Sequence, residues 1–280
     1  MRSTNYFEIA PGKVFSPSQS TAPSYNGSSK ETDSYTEIAV GHKNTTKSKD
    51  KPLIVFSYWK IMGIAEPVRM LLHYLDLPFA ETNPKNYSRW RSSQEKLQED
   101  GLDFPNLPYI YFNDFKLSEK HAIMWYIAKK VGPKHLIGKT MKEQAFLRQL
   151  INVLRDLCYF FMLASLQKDY KKALRNFDRP GSKTDLLMKR LSNFLGQREF
   201  LMDYFTIADI NMSYVVLKYY SIYRSAGLAD PYRRYPNLKE HHHRIFELEG
   251  IREYVEEDMF NRPLLPPKPF PWVKFYKVGF

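Results

Sequence analysis

The chain has 280 residues, 43% of them hydrophobic and 15% aromatic, and 42 Lys and Arg against 30 Asp and Glu give it a formal charge of +12. This is enough apolar material for one large or two modest domains, and no run approaches the ~20 apolar residues of a membrane-spanning helix, so no membrane partner is expected. A single cysteine, Cys158, rules out an internal disulfide and fits a reducing, cytoplasmic compartment.

The positive charge steers acidic partners toward the chain. Zinc-knuckle spacing, a recognition-helix signature and an Arg-rich run are all missing, which argues against nucleic acid. Residues 1–51 are rich in Ser, Thr, Asn, Pro and Gly and are expected to be a disordered or partner-ordered arm, because they cannot bury enough surface to fold alone. No apolar segment follows Arg2 as in a secretory signal, and Glu8 with few arginines argues against a mitochondrial presequence. Within the arm, Tyr6-Phe7-Glu8-Ile9-Ala10-Pro11-Gly12 recurs as Tyr35-Thr36-Glu37-Ile38-Ala39-Val40-Gly41, five identities in seven positions. Chance in a biased segment is one reading. The other is a linear motif used twice, residues 4–13 and 33–43, for equivalent sites on a protein partner.

Globular patterning begins at Leu53, and residues 52–132 read as one domain. Leu53 to Phe56 is a short apolar strand. Ala65 to Leu75 follows as a helix with Val68, Leu71, Leu72 and Leu75 on one face. A strand near Phe79 and a polar stretch lead to Gly101-Leu102-Asp103-Phe104-Pro105-Asn106-Leu107-Pro108-Tyr109 and a strand from Pro108 to Phe112. A proline at strand entry is odd unless its missing N–H faces a turn, and a cis Leu107–Pro108 bond there would be a deliberate feature. Such a bond would turn the Leu107 N–H and C=O toward a peptide-like ligand added as a further strand. Asn113-Asp114 reads as a hairpin turn, then come a short strand and a helix from Lys120 to Val131. The order β-α-β-α-β-β-α is thioredoxin-like.

Gly132-Pro133 ends that pattern, and residues 140–260 read as all helical. Phe146, Leu147, Leu150, Leu154, Leu157 and Phe161 form one stripe. Arg179 to Ser182 is a loop, and Leu186 to Leu195 is another amphipathic helix. Thr206-Ile207-Ala208-Asp209 is a capping-box variant that opens a buried helix, Ile210 to Tyr220. Pro236 sits at the first position of one more. Residues 261–280 hold Pro263, Pro266, Pro267, Pro269 and Pro271 and cannot be regular helix.

Three stretches, YWKIMGIAEPVRMLLHYL, GLDFPNLPY and KLSEKHAIMWYIAKK, resemble the consecutive motifs of glutathione transferases, closest to the Mu class. FTIADI is similar to that family's buried capping segment. The resemblance covers residues 53 to 262 and leaves out the arm and most of the tail. It implies a thioredoxin-like N-terminal domain joined to an all-α domain. It also implies glutathione as cosubstrate, with neither a bound cofactor nor a metal, and a homodimer or a heterodimer with a related subunit. Tyr58, at the end of the first strand, would stabilise the thiolate, since a phenol hydrogen bond to sulfur favours the charged form. For glutathione the resemblance implies Trp59, Ile64, Trp90 and Lys96, with Asn106, Leu107 and Pro108 at the cysteinyl backbone. Glu119 and Lys120 would meet the γ-glutamyl group, and Asp156 would reach it from a neighbouring subunit. Phe104 resembles the aromatic inserted into the partner, and Trp125 stands near the dimer axis.

Two positions depart from the family pattern. Glu119-Lys120 replaces the usual Gln-Ser pair at a helix N-terminus. Lys120 either supplies a charge-assisted substitute for the missing hydroxyl or crowds the pocket. Trp125 replaces an arginine frequent in Mu-like chains. Other patterns carry less. Gly138-Lys139-Thr140 lacks the register and the preceding strand of a phosphate loop. His241, His242 and His243 diverge around a helix and read as a solvated face, and Cys158 reads as core filler. The electrophile pocket is not readable from the sequence: Tyr159, Phe160, Met162 and Ser165 lie in the helix that would line it, and core packing explains most of them. The function expected is glutathione conjugation to an electrophile. The alternative is a transferase fold reused in an assembly, on an acidic filament such as a microtubule or in a ribonucleoprotein, through its arm and its tail.

Overall fold

The computed structural model of the protein describes residues 38–40 and 54–266; the first copy of the repeated motif and the tail beyond Pro266 lie outside them. Strands β1 (Ile38–Val40), β2 (Ile54–Ser57), β3 (Phe79–Thr82), β4 (Tyr109–Phe112) and β5 (Phe115–Ser118) form one sheet in the order β1-β3-β2-β4-β5. Strands β2 and β3 are parallel, with Ile54 opposite Phe79, so a crossover must join them. Helix α1 (Glu66–Tyr74) is that crossover. The other pairings are antiparallel, with β2 on β4 and β4 on β5. Part of the arm therefore belongs to the sheet: Ile38–Val40, assigned to an unfolded segment on composition, pairs antiparallel with β3 along its outer edge.

Helix α2 (Tyr87–Glu99) is the polar stretch after β3. Only Trp90 and Leu97 are buried on it, too few apolar positions to reveal a period, but the Asn86 side chain accepts from the Arg89 N–H at 3.0 Å and caps it. Helix α3 (Lys120–Lys130) closes this half against α1.

The helical half starts at α4 (Met141–Ser165), opened by a capping box of Thr140 and Glu143. It continues through α5 (Tyr170–Phe177), α6 (Lys183–Leu195), α7 (Ile207–Ser225), α8 (Pro236–Phe246) and α9 (Ile251–Glu257). Helix α7 is buried along most of its length and packs on α1, α3, α4 and α8. Its capping box is itself in the core. Asp209 accepts from the Thr206 N–H at 2.8 Å, the Thr206 hydroxyl at 2.7 Å and the Leu201 N–H at 2.7 Å, and it pairs with His241 Nε2 at 2.9 Å.

That contact corrects the reading of the histidines. His241 and His242 are buried rather than solvated, and His242 Nδ1 lies 2.9 Å from the Ser213 hydroxyl. Burial pushes the His242 pKa down to about 3, so the ring is neutral in the fold. No helix among the described residues is long and apolar enough to cross a membrane.

Candidate active site

The site forms where β2, the β4 entry and the start of α3 meet. Tyr58 follows directly on β2; its ring is 6% exposed and its hydroxyl accepts a hydrogen bond from the Ile64 N–H at 3.1 Å. The chain between them turns at Gly63, whose φ is +55°. A Cβ on Gly63 would sit 2.5 Å from the Tyr58 hydroxyl oxygen, so both the turn and the packed phenol require glycine. Tyr214 on α7 donates to the Gly63 carbonyl at 2.5 Å and pins this loop to the helical half.

A buried ion network holds the same loop from below. Arg69 on α1 donates to both oxygens of Glu81, at 2.9 and 2.6 Å, to Glu66 at 2.7 Å and to the Ile61 carbonyl at 3.1 Å. The Asn83 side chain donates to the Tyr58 carbonyl at 2.8 Å and to Glu81 at 3.0 Å. From the C-terminal side, the Met62 and Gly63 N–H groups donate to the Pro263 and Leu264 carbonyls at 2.9 and 3.1 Å. Arg262 completes the clamp, bonded to Asp258 at 2.6 Å and 3.6 Å from Glu81.

None of these supports was identified from the sequence. The signals were present: Glu66 and Arg69 stand one turn apart on a largely apolar helix, and a tyrosine inside a buried helix needs a polar partner.

The electrostatics decide what Tyr58 can do. Burial raises its pKa; the Ile64 N–H bond and Arg69 oppose that, and Glu66 adds to it. The group is therefore a phenol at neutral pH. Its oxygen already accepts from Ile64, and its proton remains to be donated. Such a hydroxyl stabilises an anion placed beside it and is a poor proton acceptor.

The Leu107–Pro108 bond is cis, the condition under which the sequence places a peptide-binding edge here. Asn106 organises the approach to it: its Oδ1 accepts from the Leu107 N–H at 2.9 Å and its Nδ2 donates to Glu119 Oε1 at 2.7 Å. The Leu107 N–H is therefore engaged by its own neighbour, which differs from the expectation that it faces outward unbonded. A ligand strand would exchange with this local bond. Glu119 has φ +74°, a region that side chains rarely adopt, and its N–H donates to the Pro108 carbonyl at 3.2 Å. Strain of this kind clusters at functional sites, and here it presents an exposed carboxylate next to the cis bond.

The other expected residues are less tightly joined. Trp90 is buried and stacks on Tyr109 with ring centroids 6.2 Å apart. Trp59 is half-buried, Ile64 is 46% exposed and Lys96 is exposed on α2. Lys120 opens α3 and is half-buried, and burial together with the charge of Lys218 pushes its pKa down to about 8. Asp156 is exposed on α4 and pairs with Arg155 at 3.2 Å.

Phe104 is 81% exposed. Trp125 is half-buried under the Arg148 guanidinium, 4.2 Å from its ring centre, in a groove between α3 and α4 of about 470 Å³. Of the candidate electrophile residues, Ser165 is buried and donates to the Phe161 carbonyl at 2.9 Å, which makes it a core residue. Tyr159 is 60% exposed. Among the described residues no three metal-ligating side chains come together.

A thioredoxin-like sheet with a strand-end phenol and a cis-proline edge, backed by a helical domain, defines a glutathione-binding class of fold. The comparisons agree. The glutathione S-transferase N-terminal domain profile matches residues 54–129, and the C-terminal domain profile matches residues 157–258. Glutathione S-transferase Mu 1 of Oryctolagus cuniculus is 34% identical over 224 residues, covering 75% of this chain and 93% of that protein. Glutathione S-transferase 2 of Gallus gallus is 32% identical over 218 residues, covering 74% and 92%. In fold, the Pi-class glutathione S-transferase of Onchocerca volvulus superposes with a TM-score of 0.63 at 20% identity, over 76% of this chain and 98% of that one. The chain belongs to the glutathione S-transferase family.

Proposed function

We propose that the chain conjugates glutathione, through its thiolate, to an electrophile. The observation that carries this is the Tyr58 hydroxyl, which accepts from Ile64, keeps one proton to give, and stands at the strand end beside the cis-proline edge. Glutathione is a cosubstrate here, and the chemistry needs no resident cofactor. Its cysteinyl backbone lies along Asn106, Leu107 and Pro108. The ammonium of its γ-glutamyl end meets Glu119, and Trp59, Trp90 and Lys96 face the glycyl end.

Asn106→Ala tests the placement. It removes the bonds to Leu107 and Glu119, each worth about 0.5–1.5 kcal/mol. Glutathione affinity, read by calorimetry, is expected to fall roughly tenfold, about 1.4 kcal/mol. An unchanged affinity would move the peptide elsewhere.

A dimer is part of the same reading. Phe104 is the large apolar side chain offered to a partner, and the α3–α4 groove around Trp125 is the second contact. Arg148 lies over the Trp125 ring and gives this face a positive charge that carboxylates of a partner subunit, an identical copy or a related one, would match. The absence of a membrane-spanning helix among the described residues is compatible with a cytoplasmic location.

A further inference from the structure

The repeated segment of the arm is a sequence pattern that the transferase reading does not use. Its second copy supplies β1, in which Ile38, Ala39 and Val40 stand opposite Glu81, Ala80 and Phe79. Without β1 the sheet would end at β3, and an end strand presents a row of unpaired N–H and C=O groups to any extended chain. This edge is separate from the cis-proline edge, which lies at the entry to β4 on the other side of β2.

The pairing of β3 with β2 fixes which of its backbone groups face β1. The Tyr58 N–H donates to the Thr82 carbonyl at 3.2 Å, so the backbone of Thr82 faces β2. Backbone groups alternate sides along a strand, so Ala80 also faces β2 while Glu81 and Phe79 face β1. Ile38–Glu81 and Val40–Phe79 are therefore the hydrogen-bonded pairs. Ala39–Ala80 is the unbonded pair, where antiparallel strands come closest, with Cα atoms about 4.5 Å apart.

Both copies of the motif fit this ladder. They carry alanine at the close position, Ala10 and Ala39, and isoleucine at the first bonded position, Ile9 and Ile38. They differ at the second bonded position: Val40 has an N–H to give to Phe79, and Pro11 has none. Pro11 stands at the end of the ladder and costs that one bond. Tethering then decides which copy takes which edge. The second copy is joined to β2 through residues 41–53 and meets its own β3 at high effective concentration. The first copy, farther along the chain and one bond weaker, is left for an edge elsewhere.

We propose that the outer edge of β3 is a strand-accepting site, filled within the chain by the second copy of the motif. The first copy, residues 6–12, adds as a strand to the same edge of a second subunit of this fold that lacks an arm. Main-chain bonds supply the affinity, and the close pair selects alanine. That the acceptor is a transferase-fold subunit rests on the family of the chain; the acceptor edge itself does not.

The test uses the full chain with both copies disabled, Ile9→Pro with Ile38→Pro and Val40→Pro, as the subunit with an open edge. The probes are synthetic peptides of residues 4–13 and 33–43. Hydrogen exchange reads the amides of Phe79 and Glu81, with Ala80 and Thr82 as internal controls because they face β2. All four are expected to exchange slowly in the wild type. In the variant, Phe79 and Glu81 should exchange at least about tenfold faster while Ala80 and Thr82 keep their protection. Either peptide should restore it. Peptide 33–43 should bind about fivefold more tightly by calorimetry, the worth of one hydrogen bond of ~1 kcal/mol, and Pro11→Val in peptide 4–13 should close the gap. The wild type, its edge already filled, should bind peptide 4–13 at least about tenfold more weakly than the variant does.

Phe79 and Glu81 amides that stay protected in the variant would overturn the proposal, since the arm would not be holding the edge. So would protection by peptide 33–43 but not by peptide 4–13, which confines the motif to its own chain. Equal protection by a peptide of scrambled order would reduce the edge to non-specific strand addition and reject the motif as its ligand. Should the prolines expose Ala80 and Thr82 as well, a second variant, Ala10→Glu with Ala39→Glu, puts a charge opposite the buried Ala80 without proline, and the same four amides decide.

Discussion

Tyr58→Phe is expected to lower kcat/KM for glutathione conjugation by about a hundredfold, with little change in fold or in glutathione affinity. The hydroxyl donates to a sulfur that is anionic in the reacting complex, so its loss acts on the charged state. A depression of the thiol pKa by ~2 units corresponds to ~2.7 kcal/mol, and that is the stabilisation at stake. The raised pKa of Tyr58 itself fixes the direction of the argument. A phenolate base would deprotonate the thiol and would need a lowered pKa, whereas a phenol donor needs to keep its proton.

The pH–rate profile separates the two. With the donor present, the rate should level off well below the ordinary thiol range of ~8.5; in Tyr58→Phe it should keep rising into that range. A variant within about threefold of the wild type, with an unmoved profile, would reduce Tyr58 to a packing residue.

The second large effect concerns stability. Asp209→Ala leaves the Leu201 N–H, the Thr206 N–H, the Thr206 hydroxyl and His241 without their acceptor, in a site where Thr206, Asp209 and His241 are all 0% exposed. Removing one partner of a buried charged network costs about 3–5 kcal/mol. The urea midpoint should drop by the corresponding amount at constant slope. Because α7 packs on four other helices and carries Tyr214 against Gly63, the same variant should also lose activity, at temperatures below its melting point. A loss under ~1 kcal/mol would mean that water or a rotated His241 replaces the carboxylate.

What could be read from the sequence was mostly what the backbone demands locally. Pro108 at a strand entry opened the question of a cis bond, and Thr206 with Asp209 announced a helix start. Residues whose role depends on distant partners were misread or missed. His241 and His242 look like a polar helix face until Asp209 and Ser213 arrive from α7 and bury them.

Lys218 follows the same logic, since nothing adjacent to it in sequence indicates a side chain withdrawn from water beside an apolar cavity. Helix α2 escaped for the opposite reason: two buried side chains, Trp90 and Leu97, carry no detectable period, and the cap at Asn86 was its clearest mark. Ile38–Val40 shows that composition identifies what cannot fold alone, while an open sheet edge can still recruit a strand from it.

The most direct test of the account is the ionisation of glutathione in the complex, followed by the ultraviolet absorbance of the thiolate as pH is raised. The account predicts that the wild-type complex titrates about two units below the free thiol value of ~8.5 and that Tyr58→Phe returns it close to that value. A bound thiol that ionises as it does in solution, or one whose lowered pKa persists in Tyr58→Phe, would contradict it.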